Sequence, residues 1–348
     1  MKISTDFRGS NVRVLKIEND TVYLDTDMRD SAGDWFYWAF AVEGASGTTL
    51  HFSFPKNRVG YYGPAVSHDL KSWHWLHETD GEDSFSYTFG EGEKTVYFAH
   101  HILYPESRIA ELIALYPITK DVLCKGRLGS EVPLLTFGNG EKKILLTARH
   151  HACESTGSYV LEGVIRGLLE DPVLDATVYA VPFVDYDGYL NGDQGKSRIP
   201  YDHNRDYDAS CDSIYPETAA IKRLAHRERI GYAFDFHSPW HKGGGHDLVM
   251  IVQKTNIDRL NKFAKIFEGA ITEDSLRYES KNDLAPGVDW NNPNSPTFAK
   301  YMVDSVGAEI AFTLETAYFG ESDNIVSAEK CIALGKSFAV AIKKYIED

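Results

Sequence analysis

The chain has 348 residues, of which 43% are hydrophobic and 25% are charged, and its formal net charge at pH 7 is −15. That length suits two domains, since one domain commonly takes about 100–200 residues. The acidic balance and the lack of a Lys/Arg run argue against nonspecific binding to nucleic acid or to an anionic membrane. The sequence has neither a signal-peptide core at its start nor an apolar stretch of membrane-spanning length. We therefore expect a cytoplasmic protein with no nucleic-acid or membrane partner.

Residues 1–104 are predicted to form a domain of β-strands. Short runs rich in β-branched and aromatic residues are separated there by Gly, Asp, Asn and Ser. The clearest runs are 12–17, 21–24, 35–42, 49–54 and 95–100. Strands at this spacing, with no helical period between them, indicate a β-sandwich.

The pattern changes near residue 105, where apolar strands begin to alternate with helices. The predicted strands are 143–148, 176–184, 231–236, 248–252 and 309–314. The predicted helices are 107–115, 156–169, 216–227, 256–269 and 327–345. This alternation predicts that residues 105–348 form a layered α/β domain whose helices cover a largely buried sheet.

Two strand ends in this second region carry candidate metal ligands. His151 and Glu154 are three residues apart, directly after the strand 143–148, so a turn can point both side chains at one ion. His237 follows another apolar strand, and ligand crevices of open α/β sheets lie at the carboxyl ends of strands. Two His and one Glu are a common catalytic zinc set, with a fourth position left for water. His241 and His246, in the adjoining glycine-rich loop, are alternatives for the third ligand.

Two further segments carry polar residues with a chemical interpretation. Glu315 interrupts an apolar strand, where an unpaired carboxylate would be costly, so we expect it at a strand end facing a charge. Arg205 offers a planar fork that binds carboxylates, and Asn204 adds a donor beside it. A surface turn is the other interpretation of the segment 201–207.

Taken in chain order, these motifs resemble those of the zinc metallocarboxypeptidases, and most of all the cytosolic branch of that family. The resemblance implies a three-layer α/β/α catalytic domain (105–348) with a mixed sheet, preceded by a smaller β-sandwich domain (1–104). It implies one zinc per chain, with the ligands His151, Glu154 and His237. It also implies roles for four other residues: Glu315 as general base, Asn204 and Arg205 as anchors of the substrate's terminal carboxylate, and Asp202 as the support of the first His ligand.

The sequence departs from the family pattern at two places, and a third position bears on specificity. Gly195 stands where the family has the arginine that stabilises the oxyanion, which leaves Lys196 and Arg198 as the two candidates for that catalytic charge. The family's mobile substrate-binding tyrosine has no match, and Tyr301 is a stand-in. Lys300 aligns with the residue that sets side-chain preference, so the resemblance predicts a preference for acidic C-terminal residues.

The predicted function is therefore removal of C-terminal residues from peptides or proteins by a zinc enzyme. A deacylase of the aspartoacylase type, acting on a small carboxylate-bearing amide, would use the same ligands and is the first alternative. An inactive module that binds a carboxylate-ended ligand is the second. The complete set of metal ligands together with Glu315 argues against the inactive module, because a decayed site usually loses a member.

Overall fold

The structure, a computed structural model, describes residues 1–29, 31–77, 79, 81–170 and 175–348. In chain order the strands are β1 (Lys2–Ser4), β2 (Arg13–Glu18), β3 (Thr21–Asp25), β4 (Ala39–Glu43), β5 (Thr49–Ser53), β6 (Ala65–Ser67), β7 (His74–Trp75), β8 (Ser84–Thr88), β9 (Thr95–Ala99), β10 (Thr119–Lys125), β11 (Glu131–Gly138), β12 (Lys142–Ala148), β13 (Ala176–Val181), β14 (Tyr232–His237), β15 (Met250–Val252), β16 (Ile310–Glu315), β17 (Gly320–Glu321) and β18 (Asn324–Ile325).

The helices are α1 (Ser107–Leu115), α2 (Ser155–Glu170), α3 (Tyr186–Asn191), α4 (Pro216–Glu228), α5 (Ile257–Glu268), α6 (Phe298–Tyr301) and α7 (Ala328–Glu347). In the described ranges, none of these helices has the length and apolar character needed to cross a lipid bilayer.

The first hundred residues form two sheets that share one aromatic core. One sheet has the order β1-β4-β9-β6-β7 and the other β2-β3-β5-β8. Alternate residues point inwards in several strands, as in β5, where Leu50 and Phe52 are buried and Thr49 and His51 are exposed. Phe52 of the second sheet lies 5.4 Å from Phe98 of the first, measured between ring centroids. The two sheets therefore pack face to face through these inward side chains.

The predicted strand 35–42 is wrong over its first half, because β4 begins only at Ala39. The backbone N–H of Tyr37 donates to Gln194 Oε1 at 2.9 Å, and Gln194 Nε2 donates to the carbonyl of Tyr37 at 2.8 Å. A side chain from the second region thus takes the place of a neighbouring strand. This pairing leaves Trp35 in a loop that faces the α/β region.

The α/β region is built on a seven-stranded mixed sheet of order β10-β11-β13-β12-β14-β16-β15. The four central strands run parallel, and β10, β11 and β15 are antiparallel to their neighbours. The predicted α/β class and mixed sheet are confirmed. The sequence patterns did not predict the hairpin β10–β11, because most of β10 is polar and exposed.

The central strand β14 presents different chemistry on its two faces. Phe234 and Phe236 lie 5.3 and 5.4 Å from Phe338 of α7, between ring centroids. Asp235 and His237, which alternate with these two phenylalanines, point to the opposite face, towards His150. One side of the strand therefore packs against a helix, while the other brings polar groups together at the carboxyl end of the sheet.

Close packing of α2 against α7 fixes the loop that precedes α2. A Cβ atom on Gly163 would lie 2.1 Å from the carbonyl of Ile332, and one on Gly335 would lie 2.1 Å from the carbonyl of Val160. Glycine at both positions lets the two backbones approach each other. Since α2 begins directly after Glu154, this contact helps to hold the candidate metal-binding loop in place.

The two regions share buried apolar contacts. The indole of Trp75, from the N-terminal sheets, donates to the carbonyl of Val326 at 2.8 Å. Trp75 also packs on Phe319, with 5.4 Å between ring centroids, and both belong to the core cluster of the α/β region. The division into domains at residues 104 and 105 stays a prediction.

Candidate metal centre

The carboxyl ends of β12, β14 and β16 meet at a cavity of about 400 Å³, which we call the metal cavity. Its polar lining includes the side chains of His151, Glu154, Lys196, Asp202, Asn204, Arg205, His237, Lys254 and Glu315. Eight of these nine residues are ones that the sequence singled out. Because the central strands are parallel, loops far apart in sequence arrive at this same edge.

His151, Glu154 and His237 form a group that has room for one metal ion. One possible ligand atom from each residue lies within 4.8 Å of the others. Nδ1 of His151 lies 2.8 Å from Glu154 Oε1, and Nδ1 of His237 lies 2.8 Å from Glu154 Oε2. Both imidazoles therefore turn the same nitrogen, Nδ1, towards the carboxylate.

The geometry at one oxygen of Glu154, Oε2, fits a metal better than a hydrogen bond, whereas Oε1 is hydrogen-bonded to His151 Nδ1. Glu154 Oε2 is buried and accepts no aligned hydrogen bond from the described residues, although His237 Nδ1 is only 2.8 Å away. Glu154 Oε2 and His237 Nδ1 are close but not aligned for a hydrogen bond with each other, so both can direct a lone pair at one metal ion. A His₂Glu donor set of this kind suits zinc, with an open position on the cavity side.

Carboxylates orient both imidazoles from behind. His237 Nε2 lies 2.6 Å from Asp235 Oδ2, and His151 Nε2 lies 3.5 Å from Asp202 Oδ1. A carboxylate on the outer nitrogen fixes the ring orientation and leaves the other nitrogen for the metal. Asp202 thus lies close to His151, and its supporting role stays a prediction, whereas the sequence analysis did not single out Asp235. The sequence signal for Asp235 was an acidic residue within an apolar strand, two residues before His237. In the structure this residue is fully buried.

The charges around the group favour a cation between the three side chains. Burial alone would lower the pKa of His237, but Asp235 and Glu154 outweigh it and raise that pKa well above its ordinary value. Burial would raise the pKa of Glu154, but His151, Lys196 and His237 hold it well below its usual range. Glu154 is therefore ionised, and a divalent ion bound between these side chains would take the place of the protons that its charge attracts to the two imidazoles.

A second group with metal-binding residue types, His150, Asp235 and His237, lies behind the first. Both nitrogens of His150 already have partners, Asp235 Oδ1 and the hydroxyl of Tyr207, each at 2.8 Å. His150 is fully buried and is not among the described residues that line the metal cavity. We interpret this second group as the hydrogen-bonded support of His237.

Of the two candidates for the missing arginine, Lys196 lines the metal cavity. Its Nζ lies 2.6 Å from Glu154 Oε1 and 3.0 Å from each of the carbonyls of Ser238 and Pro239. The guanidinium of Arg198 instead forms ion pairs with Asp185 and Asp193, and Arg198 is not found in the described lining of the cavity. This placement favours Lys196.

Glycine is required at position 195, next to this lysine. Gly195 has φ +75°, and a Cβ atom there would lie 2.2 Å from the backbone nitrogen of Ala152. A side chain at this position would therefore push the loop that carries His151 and Glu154. The segment that supplies Lys196 lies directly against the metal-binding loop.

Glu315 lies at the end of β16, with 7% of its surface exposed. Burial raises the pKa of Glu315 to about 7, with a further rise from Glu154 that His237 and Lys196 partly oppose. Its Oε2 has no hydrogen-bond partner in the described part of the chain. A carboxylate with a pKa near neutrality, beside a metal site, is suited to accept and return a proton.

Asn204 and Arg205 lie across the metal cavity from β16. The side-chain oxygen of Asn204 accepts a hydrogen bond from the backbone of Phe298 at 3.0 Å, which anchors the amide. Arg205 lines the cavity and donates to the carbonyl of Asn204 at 3.0 Å. Among the described residues, no carboxylate forms an ion pair with Arg205. The guanidinium of Arg205 therefore remains available for an anion.

The structure places Lys300 differently from what the sequence predicted. Its Nζ lies 2.6 Å from Asp304 Oδ2, one helical turn further on, and Lys300 does not appear in the described lining of the metal cavity. Lys254, which the sequence analysis passed over, does line it. Burial, together with the charges of Arg205 and Lys300, lowers the pKa of Lys254 to about 8. Nothing in its local sequence marks Lys254 apart from its position shortly after β15.

Aromatic side chains surround the mouth of the cavity. Trp35, Trp240 and Trp290 line it, and the rings of Trp35 and Trp240 are 4.9 Å apart. The proposed stand-in tyrosine, Tyr301, is buried in the core, where its hydroxyl lies 3.0 Å from His226 Nε2. Trp35 comes from the N-terminal region, so both regions of the chain contribute to this cavity.

The mixed sheet, with the metal cavity at the ends of its parallel strands, has the fold of solved metallo-carboxypeptidases. The chain has this fold over its whole length. It superposes on a metallo-carboxypeptidase from Burkholderia cenocepacia with a TM-score of 0.80 and 19% identity, covering 99% of each chain. A metallo-carboxypeptidase from Pseudomonas aeruginosa gives a TM-score of 0.79 and 20% identity, covering 100% of this chain and 99% of the other.

Sequence comparison confirms the predicted resemblance to the cytosolic branch. The chain is 26% identical to cytosolic carboxypeptidase 2 of Xenopus tropicalis over 200 residues, which is 49% of this chain and 21% of that protein. It is 24% identical to an uncharacterized protein of Zymomonas mobilis over 258 residues, 68% of this chain and 67% of that one. The chain thus spans only about a fifth of the cytosolic carboxypeptidase. No protein-family profile matches the chain.

Proposed function

We propose that the protein is a zinc-dependent metallocarboxypeptidase that removes C-terminal residues from peptides or proteins. The observation that carries this proposal is the joint placement of the His151–Glu154–His237 group, Glu315 and Arg205 around one cavity. The resemblance in fold and sequence to metallo-carboxypeptidases supports it. A cytoplasmic location is part of the proposal and rests on the named cytosolic relatives.

Zinc held by His151, Glu154 and His237 would polarise the scissile carbonyl and make water a better nucleophile. Glu315 accepts the proton of the attacking water and passes it to the leaving amine. Burial raises the pKa of Glu315 to about 7, which supports this role, because a group with such a pKa can both accept and release a proton near neutral pH. Lys196 supplies positive charge beside the reacting carbonyl, where negative charge develops in the transition state.

Arg205 and Asn204 determine where the chain is cut. The guanidinium binds the terminal carboxylate of the substrate, and the anchored amide of Asn204 adds a donor beside it. Because both lie in the same cavity as the metal group, a bound C-terminus presents its last peptide bond to Glu315. The enzyme is therefore an exopeptidase in this proposal.

We further propose that the enzyme prefers acidic C-terminal residues, with Lys254 as the partner of the side-chain carboxylate. Lys254 and Arg205 both line the metal cavity. The ammonium of Lys254 donates a hydrogen bond to the carbonyl of Asn292 at 2.8 Å, and this partner carries no charge. Two cations in one cavity suit a ligand with two carboxylates.

A peptide-library digest followed by mass spectrometry tests the proposal. Zinc-loaded protein should release single residues from free C-termini, most rapidly Glu and Asp, and the Glu315→Gln variant should release none. C-terminally amidated peptides are the control substrates, since they lack the carboxylate for Arg205. Internal cleavage, or equal cleavage of amidated peptides, would contradict the exopeptidase assignment. Hydrolysis of N-acyl amino acids alone would favour the deacylase.

A further inference from the structure

A second cavity, of about 500 Å³, lies where the N-terminal sheets meet α1 and α3; we call it the junction cavity. Arg149 and Ala152 line the junction cavity, whereas His151 and Glu154 line the metal cavity. Neighbouring residues of one loop therefore face two different cavities. The junction cavity has no part in the chemistry proposed above.

Arg149 brings a buried positive charge to this cavity. It is only 3% exposed, and its guanidinium donates to Ser158 Oγ at 2.8 Å, to the carbonyl of Tyr104 at 3.4 Å and to the carbonyl of Ala152. The ring of Tyr189 lies 5.4 Å from its guanidinium carbon. All of these partners are neutral, and no carboxylate of the described ranges forms an ion pair with Arg149.

A buried charge without an opposite charge is costly. Aromatic rings and carbonyls offset only part of that cost, since a cation–π contact contributes about 0.5–2 kcal/mol. An anion in the junction cavity would supply the missing countercharge.

The other charged groups of the cavity leave a positive balance. They are Arg8, Asp69, Lys71, Glu106 and Lys120. Arg8 pairs with Glu106, and Lys71 pairs with Glu111 at 3.0 Å. Asp69 accepts hydrogen bonds from the backbone amides of Lys71 and Ser72, both at 2.8 Å. Lys120, at the rim, and Arg149, at the base, remain without an acidic partner among the described residues.

The rest of the lining selects for a ligand with an apolar body. Tyr37, Leu103, Tyr104, Ile109 and Tyr189 line the cavity, and its volume of about 500 Å³ accommodates a small organic molecule. One planar guanidinium at the base matches one carboxylate in geometry and in charge. A dianion would leave one negative charge without a buried partner.

We infer that the junction cavity is a binding site for a small organic monocarboxylate with an apolar or aromatic body, whose carboxylate pairs with Arg149. The site is separate from the metal cavity and does not depend on the proposed peptidase activity. The ligand enters past Lys120 and places its apolar part against the tyrosines.

Calorimetric titration with 4-phenylbutyrate tests this inference. The wild-type protein should bind one equivalent, and the neutral analogue 4-phenylbutyramide should bind at least about tenfold more weakly, because it cannot form the charge-assisted pair. The Arg205→Ala variant, which removes the carboxylate anchor of the metal cavity, should bind the acid as the wild type does. Arg149→Met should lose the preference for the acid over the amide.

A cavity-filling variant keeps the test decisive even if Arg149→Met does not fold. Ala110 is exposed on α1 and lines the junction cavity, so Ala110→Trp should block the site without touching Arg149 or the metal cavity. Binding should then weaken by at least about tenfold. Three outcomes would overturn the inference: no saturable binding up to about 10 mM, loss of binding in Arg205→Ala but not in Ala110→Trp, or equal affinity for acid and amide.

Discussion

His237 and Glu315 are paired residues at the last positions of two neighbouring parallel strands, β14 and β16. Paired residues of parallel strands point to the same face of a sheet, so a candidate metal ligand and the candidate base emerge side by side. The 77 residues between them in sequence are irrelevant to this proximity. The sheet sets their separation, and rigid elements of this kind hold reacting groups more accurately than loops do.

We predict one zinc per chain, lost on substitution of His237. The His237→Ala variant removes one of three ligands and leaves the cavity open to water, so metal analysis of the purified protein should show strongly reduced zinc. His246→Ala is the matched control, because His246 lines the same cavity but belongs to neither of the candidate metal groups of the described chain. Full zinc content in His237→Ala, with loss in His246→Ala, would move the third ligand to His246.

Glu315→Gln should abolish turnover while leaving zinc binding intact. The amide is nearly isosteric with the carboxylate but cannot accept a proton, and loss of a general base typically costs on the order of 10²–10⁴ in rate. Turnover and zinc content should be measured on the same preparation, together with calorimetric binding of a carboxylate-ended peptide. A variant with near-normal turnover would show that Glu315 has a structural role only.

Lys254→Met should reduce activity on peptides that end in Glu and leave activity on peptides that end in Phe nearly unchanged. Loss of a charge-assisted hydrogen bond is worth roughly 1.5–3 kcal/mol, which corresponds to about a ten- to hundredfold drop in kcat/KM. Lys300→Met is the matched control, because Lys300 pairs with Asp304 and affects the cavity only through its charge. A larger loss in Lys300→Met than in Lys254→Met would return the specificity role to Lys300.

The preference for acidic residues should fade as the pH rises through about 8. Burial and the charges of Arg205 and Lys300 lower the pKa of Lys254 to about 8, so its ammonium is present below that pH and lost above it. The ratio of kcat/KM for Glu-ended over Phe-ended peptides therefore falls across this range, and the ratio cancels effects common to both substrates. The same ratio should be flat in Lys254→Met, and a flat ratio in the wild type would refute the role of Lys254.

The sequence predicted the α/β class and the strand ends that meet at the metal cavity, because both follow from local patterns. An apolar run that stops at His237, or a Glu at the end of another run, is visible without knowledge of the fold. The roles of these residues remain predictions, now supported by their proximity. Tests of metal content and turnover will decide them.

Features that depend on contacts between distant segments were not predictable in this way. The strand predicted at 35–42 begins only at Ala39, because Gln194, far along the chain, bonds to the backbone of Tyr37. Lys254 and Lys300 are equally basic in sequence, and only the path of the backbone decides which one faces the cavity. Asp235 has no evident role in the sequence, where it is one acid within an apolar strand. The structure gives it two histidine partners.

The hydrophobic core that joins Trp75 of the N-terminal sheets to Phe319 and Val326 has a consequence for how the chain folds. Separated from the first hundred residues, the α/β region would expose this apolar surface to water, at a cost of about 25 cal/mol for each Å². Trp35 would also leave the cavity mouth, although it contributes nothing to the metal group itself. We therefore expect the N-terminal sheets and the α/β region to unfold together, because each covers apolar surface of the other.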